Sequence, residues 1–125
     1  ENKCREVFYD KYISGWLKEE GNYKDGKLDG KLTGYHENGQ LKEEVYIKDE
    51  ESDGIWTEYY QNGQIQYKGN YKDGKWNGKW TKYYENGQIK EEGNYKDDER
   101  DGIWTLYNKD GRIYSEIIWK DGIGH

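Results

Sequence analysis

The sequence predicts an all-β repeat protein: a single-layer, extended antiparallel sheet of successive β-hairpins, about ten strands in five 24-residue repeats. Three observations carry this. Gly15, Gly39, Gly63, Gly87 and Gly111 are each 24 residues apart, as are Gly30, Gly54, Gly78 and Gly102. Turn dipeptides recur on the same step: Asn38-Gly39, Asn62-Gly63, Asn86-Gly87 and Asp110-Gly111, then Asp25-Gly26, Asp73-Gly74 and Asp121-Gly122. Between turns lie short segments of strand length and strand composition, such as Trp56–Tyr60 and Ile65–Tyr71. A gapless internal period of this kind is the mark of a stacked array of one supersecondary unit.

Stepping back 24 residues from Gly30 reaches Glu6, which opens a matching unit without the glycine. The units are therefore 6–29, 30–53, 54–77, 78–101 and 102–125, with 1–5 as an N-terminal leader. The first strand of each unit carries the column Phe8/Leu32/Trp56/Trp80/Trp104, followed by Tyr35/Tyr59/Tyr83/Tyr107. Trp56 and Tyr60 point one way and Thr57 and Tyr59 the other, which puts aromatics on both faces. The Asn-Gly turn follows, read as a two-residue hairpin loop with φ > 0 at both positions. The second strand starts with the column Leu17/Leu41/Ile65/Ile89/Ile113 and alternates strictly. Ile65, Tyr67, Gly69 and Tyr71 share one face, and Gln64, Gln66, Lys68 and Asn70 the other. Gly69 and Gly93 let a neighbouring ring lie over the backbone, in place of a second packing layer. The Asp-Gly turn closes the unit. The residue after the repeat glycine alternates Lys31, Ile55, Lys79, Ile103, which gives a 48-residue super-period.

Composition sharpens what the array can be. Leu, Ile, Val and Phe make up 18 of 125 residues, a fraction typical of disorder. A net charge of only −6 and 17% aromatics oppose that reading. Lys alternates with Glu and Asp along the chain, so no basic face for nucleic acid is expected. No stretch approaches the roughly 20 apolar residues of a membrane span. Cys4 is the only cysteine, which excludes an internal disulfide. With His36 and His125 it leaves too few ligands for a zinc site of the usual kind. No cofactor is expected. Met is absent, and removal of a signal peptide or trimming of the chain accounts equally for that. A secreted or cell-surface place is the expectation, a cytoplasmic one the alternative.

The text YYENGQIKEEGNYKDGKWNGKW, assembled from Tyr83–Tyr95 and the Tyr71–Trp80 junction, resembles the variant form of the membrane occupation and recognition nexus (MORN) repeat. The resemblance covers nearly all of residues 6–125 and departs at Glu6, Lys11, Asn108, Ile117 and Ile118. It implies single-layer sheets of hairpins, no catalysis, and interaction, scaffolding or membrane-proximal roles. Bacterial members are often labelled antitoxin-like.

Candidate chemistry is sparse. His36 stands in the column of Tyr12, Tyr60 and Tyr84 and reads as an aromatic substitute. A reactive Cys4 has only Lys3 and Arg5 to activate it. Glu19-Glu20, Glu43-Glu44 and Glu91-Glu92 are adjacent on strands, so each pair splits between faces and forms no shared carboxylate site. Asp49-x-Glu51-x-Asp53-Gly54 and Asp97-x-Glu99-x-Asp101-Gly102 match the first half of a calcium loop, but the twelfth positions are Tyr60 and Asn108 instead of Glu. These acidic turns read as charged segments that blunt association.

The remaining candidates are the rings. A single sheet does not bury 20 Tyr and Trp side chains completely, and exposed aromatic rows mark binding surfaces. Trp56, Trp80 and Trp104 with Tyr59, Tyr83 and Tyr107 are the expected partner-binding residues. Ile117, Ile118 and Trp119 make the last strand apolar on both faces, the signature of an edge that pairs with another copy in a homo-oligomer. The expected function is a non-enzymatic module that binds an unknown protein. Carbohydrate or cell-wall recognition and toxin neutralisation are the alternatives. The acidic balance argues against electrostatic attachment to anionic lipid.

Overall fold

The computed structural model describes residues 5–11, 17–49 and 51–125, with side chains from Glu19 onward. The expectations placed on Cys4, Tyr12 and Gly15 lie outside the described residues. Among the described residues thirteen strands follow one another: β1 (Arg5–Lys11), β2 (Leu17–Lys24), β3 (Lys27–Leu28), β4 (Gly30–Tyr35), β5 (Leu41–Lys48), β6 (Glu51–Ser52), β7 (Gly54–Tyr59), β8 (Ile65–Lys72), β9 (Lys75–Tyr83), β10 (Ile89–Lys96), β11 (Glu99–Tyr107), β12 (Ile113–Lys120) and β13 (Ile123–Gly124). They form one antiparallel sheet whose spatial order is the chain order. The short β3 and β6 pair with β2 and β5 and prolong β4 and β7, so the ten expected strands are present and β13 follows them.

Pairing repeats on the same step as the glycines. Phe8 faces Gly21, Leu32 faces Val45, Trp56 faces Gly69, Trp80 faces Gly93 and Trp104 faces Ile117. A 24-residue sequence period has thus become a 24-residue register period.

The two-residue geometry expected at Asn-Gly is not found there but at the Asp-Gly turns. At Asn62-Gly63 only the glycine has positive φ, +91°. The Gly63 N–H donates to the Tyr60 carbonyl and the Tyr60 N–H donates to the Gln64 carbonyl, which closes a three-residue loop. The Asn62 Oδ1 accepts from the Gln64 N–H at 2.9 Å. Asn holds this turn through its side chain, and its backbone has no need of the left-handed region. The two-residue loop sits at the other end. Asp25 and Gly26 have φ of 53° and 79°, and Asp73 and Gly74 have 52° and 78°. Both corners are left-handed, as a type I′ hairpin requires. In the acidic turn, Asp97 and Asp98 take both corners with φ of 48° and 69°. Asp98 holds this geometry through its Oδ1, which accepts from the Trp76 N–H at 2.7 Å. The segment from Glu99 is strand, so this acidic run shapes a hairpin and not a cation loop.

The strict alternation of the second strand also needs correction. A register shift recurs where Glu58 faces Tyr67 but Tyr59 faces Ile65. Equivalent shifts lie at Gly34/Tyr35, Ile89/Glu91 and Leu106/Tyr107. The extra residue is Lys42, Gln66, Lys90 or Tyr114. This bulge carries Ile65 and Ile89 over to the side of Tyr59 and Tyr83, away from Tyr67 and Gly69.

The sheet therefore has two different faces. The ring face carries Trp56, Tyr67, Tyr71, Trp76, Trp80, Tyr95 and Trp104. Tyr71 stacks on Trp76 at 3.9 Å between centroids, Trp80 meets Trp104 at 5.6 Å, and Tyr95 meets Trp104 edge-on at 5.1 Å. Arg100 extends this ladder over Trp104 at 4.1 Å and over Trp119 at 5.5 Å. The rings lie on glycine backbone, as expected: a Cβ on Gly69 would stand 2.4 Å from Trp80 Cδ1, and one on Gly93 would stand 2.3 Å from Trp104 Cδ2. The accessible surface is 8497 Å². A compact chain of this mass exposes roughly 7,000 Å². The excess is what a single layer with no second sheet leaves in water.

Candidate functional site

On the ring face, Trp104 has no exposed surface and Trp56 and Trp80 are half-buried. The Trp104 Nε1–H donates to the Asn94 carbonyl at 3.0 Å. The expectation that the Trp column stands free for a partner is corrected at Trp104. With no second layer to cover the sheet, the rings cover it themselves, and the largest apolar surface goes into that packing. Trp56 and Trp80 belong to the same ladder. Glu43 also lies on this side, over Gly34 and opposite Glu58. Burial, and then the neighbouring Glu58 charge, push its carboxyl above the usual range.

The opposite, open face carries Tyr59, Tyr83 and Tyr107. They and the Trp column therefore never form one contact surface. Glu20, Glu44 and Glu92 stand one strand earlier and accept from the tyrosines: Tyr35 Oη to Glu20 at 2.8 Å, Tyr59 Oη to Glu44 at 2.9 Å, Tyr107 Oη to Glu92 at 2.6 Å. The hydrogen bond to Glu20 pushes the Tyr35 hydroxyl up to about 12, and burial with the bond to Glu44 does the same for Tyr59. Lys31 closes a triad at 2.5 Å from Glu44, and this contact holds the Glu44 carboxyl below its ordinary value.

Adjacent Glu43 and Glu44 thus respond oppositely to acid. The depressed carboxyl of Glu44 contributes stability that is complete above the ordinary Glu value and lost as the pH falls through its lowered value. The raised carboxyl of Glu43 favours the folded chain below the ordinary value, and that contribution is lost as the pH rises through its raised value. At pH 7, Glu44→Gln is expected to lower the thermal midpoint by the equivalent of up to about 1 kcal/mol. Glu43→Gln is expected to raise it. Melting curves at pH 7 and pH 4 check both signs, and the difference between the variants shrinks at the lower pH.

The turns add a second inter-repeat ladder. The Tyr60 hydroxyl donates to the Tyr83 carbonyl at 2.8 Å and the Tyr84 hydroxyl to the Tyr107 carbonyl at 2.7 Å. The His36 Nε2 makes the same contact with the Tyr59 carbonyl at 3.0 Å. His36 is therefore the aromatic substitute expected. Tyr84→Phe is expected to cost about 1 kcal/mol, the worth of one part-buried hydrogen bond. His36→Tyr should stay within about 0.5 kcal/mol of the parent. Paired melts of the two variants test this.

The edge of β12 is covered at its end, along residues 118–120. The Asp121-Gly122 turn, with φ of 53° and 77°, brings β13 back so that Trp119 faces Gly124 and Lys120 faces Ile123. Ile118 exchanges two main-chain hydrogen bonds with His125. The expected pairing of another copy at Ile118 and Trp119 is thus corrected: their edge is occupied. Ile117 and Trp119 lie on the ring face, and Ile118 lies on the open face.

The open face leaves Tyr46 47% exposed and, beside it, several aliphatic side chains. Ile55 is 53% exposed, Ile103 57% and Ile118 55%, and Ile103 faces Ile118 across β11 and β12. The Lys31/Ile55/Lys79/Ile103 alternation was read in the sequence only as a super-period and not as a surface. The parity with Thr57 and Tyr59 was the signal that puts these isoleucines outside the ring layer. No group of three or more His, Cys, Asp or Glu among the described residues is placed to hold a metal ion. No helix among them is long and apolar enough to cross a membrane.

No curated protein matches the chain. The sequence model of the MORN repeat variant family matches four times, at residues 28–49, 52–73, 76–97 and 100–121. These matches span well over half of the sequence and recur on the step that sets turns, bulges and register: the chain belongs to the MORN repeat variant family.

Proposed function

We propose that this chain is a non-enzymatic module that binds another protein through its open face. The observation that carries the reading is the set of exposed isoleucines Ile55, Ile103 and Ile118 on a face with no covering layer. Exposed aliphatic side chains among hydrogen-bonded Tyr, Thr and Glu have the make-up of an apolar contact with a polar rim. The family's association with interaction modules agrees with it. Stacking on a sugar needs free ring faces. The large rings here are laid against one another, and the exposed aromatics among the described residues are Tyr46 and Tyr114. That favours a protein over a carbohydrate.

The experiment is an affinity pull-down with the purified chain against the Ile55→Ser/Ile103→Ser/Ile118→Ser variant. All three side chains are more than half exposed, so the variant is expected to melt within a few degrees of the parent. A protein captured by the parent, purified and titrated against both chains, should bind the variant at least ten-fold more weakly. Equal binding by the two chains would remove the open face from the reading.

A further inference from the structure

The Tyr–Glu pairs of the open face are interrupted at one place. Positions 20, 44, 92 and 116 are glutamate, but position 68 is Lys68. Its backbone setting is that of the glutamates. Lys68 lies between Thr57 and Thr81, as Glu44 lies between Thr33 and Thr57 and Glu92 opposite Thr81 and Thr105. The tyrosine that a glutamate at this position would engage is Tyr83. Tyr35, Tyr59 and Tyr107 each donate to such a glutamate. The hydroxyl of Tyr83 has no acceptor here, and Lys68 has no acidic partner within ion-pair distance among the described residues.

These two unmatched donors line one depression of about 350 Å³ together with Ile55, Lys79, Thr81 and Glu92. Thr81 is 4% exposed and forms part of the floor. Lys79 adds a second cation. Its nearest acid, Glu92, is 4.0 Å away and is already held by Tyr107 at 2.6 Å. Glu92 keeps the site from being purely cationic, which disfavours a dianion more than a single carboxylate. Ile55 and Ile89 give the depression an apolar flank.

We propose that this depression takes the carboxylate of an acidic side chain on a protein partner, with an aliphatic neighbour of that side chain resting on Ile55. The carboxylate accepts from the Lys68 ammonium and the Tyr83 hydroxyl, the bond that a chain glutamate accepts in the other units. The inference rests on the protein-binding reading above and names the partner's chemistry.

Lys68→Glu is the decisive variant, because it puts into this unit the residue that the same position carries elsewhere. It is expected to fold and to melt at or above the parent's temperature. The full chain is immobilised and used to select from a phage-displayed random dodecapeptide library. Enriched peptides are then titrated by fluorescence polarisation against the parent, Lys68→Glu and the charge-matched control Lys72→Glu. The expected peptides carry Asp or Glu beside an aliphatic residue. Their Kd should rise at least ten-fold on Lys68→Glu or on amidation of the acidic residue, and less than two-fold on Lys72→Glu. Peptides without an acid, binding indifferent to Lys68→Glu, or no enrichment each overturn the acidic site. So does displacement of the peptide by inorganic phosphate at a lower concentration than by free glutamate. Peptides that ignore Lys68→Glu but fail on Ile103→Ser/Ile118→Ser leave the protein-binding reading standing. That reading falls separately, with the pull-down.

Discussion

Gly93→Ala is expected to cost about 3 kcal/mol, at the upper end for inserting one methyl group into a packed site. The thermal midpoint should drop by roughly 10 °C. The reason is local. The new Cβ would stand 2.3 Å from Trp104 Cδ2 and 2.4 Å from Cε2, and Trp104 has no exposed surface through which to retreat. Ala normally improves a strand by reducing the freedom of the unfolded chain, so a large loss here isolates the steric conflict. Gly102→Ala is the comparison. Gly102 has φ of +75°, and a methyl group added there would meet nothing within 4 Å, so only the left-handed backbone resists it. About 1 kcal/mol is expected there. Similar midpoints for the two variants would mean that the indole does not rest on the Gly93 backbone.

Removing the ring itself has the larger effect. Trp104→Ala is expected to cost about 4 kcal/mol, as a fully buried Trp does. Trp80, Tyr95 and Arg100 all lean on this indole, so each loses a neighbour with it. Trp104→Phe keeps much of the area but leaves the Asn94 carbonyl without its donor, for about 2 kcal/mol. Trp80→Phe should cost less, because the buried Trp80 Nε1 has no partner to orphan. The double variant Gly93→Ala/Trp104→Ala makes the sharper test. With the indole gone the methyl has room, so the second substitution should be nearly neutral, and the interaction energy should approach the whole cost of Gly93→Ala. Strict additivity in thermal melts would break the assignment of both residues to one contact.

Much of this fold was legible in residue spacing. A fixed 24-residue step with Gly, Tyr and Trp columns leaves few alternatives to stacked hairpins, and Gly69 and Gly93 opposite Trp residues already pointed to rings on bare backbone. Three features were not legible, each for a physical reason. Asn-Gly fits more than one turn type, and the choice at Asn62-Gly63 was made by the Asn62 Oδ1 bond to Gln64, which sequence does not display. The bulge at Gln66 adds one residue to a period of two. That reverses the side of Ile65 without changing its apolar character, so pattern alone placed it wrongly. The Trp and Tyr columns differ in fate because a single sheet has one face to seal. The larger rings sealed it, and the tyrosines found carboxylates on the other. Lys68 was visible in the sequence as the one basic residue among Glu20, Glu44, Glu92 and Glu116. It gained meaning only when Glu44 and Glu92 were seen to accept from tyrosines.

The identity of sequence period and register period constrains how such a gene changes length. Loss or duplication of 48 residues returns every strand to a neighbour of the kind it had, with the Lys/Ile alternation intact. A change of 24 keeps all pairings of the main chain but sets two lysine-type or two isoleucine-type hairpins side by side, and so rewrites the open face without disturbing the fold. A change within the strands that is not a multiple of 24 breaks this register. Recombination between these related segments therefore varies the open face in discrete, foldable steps.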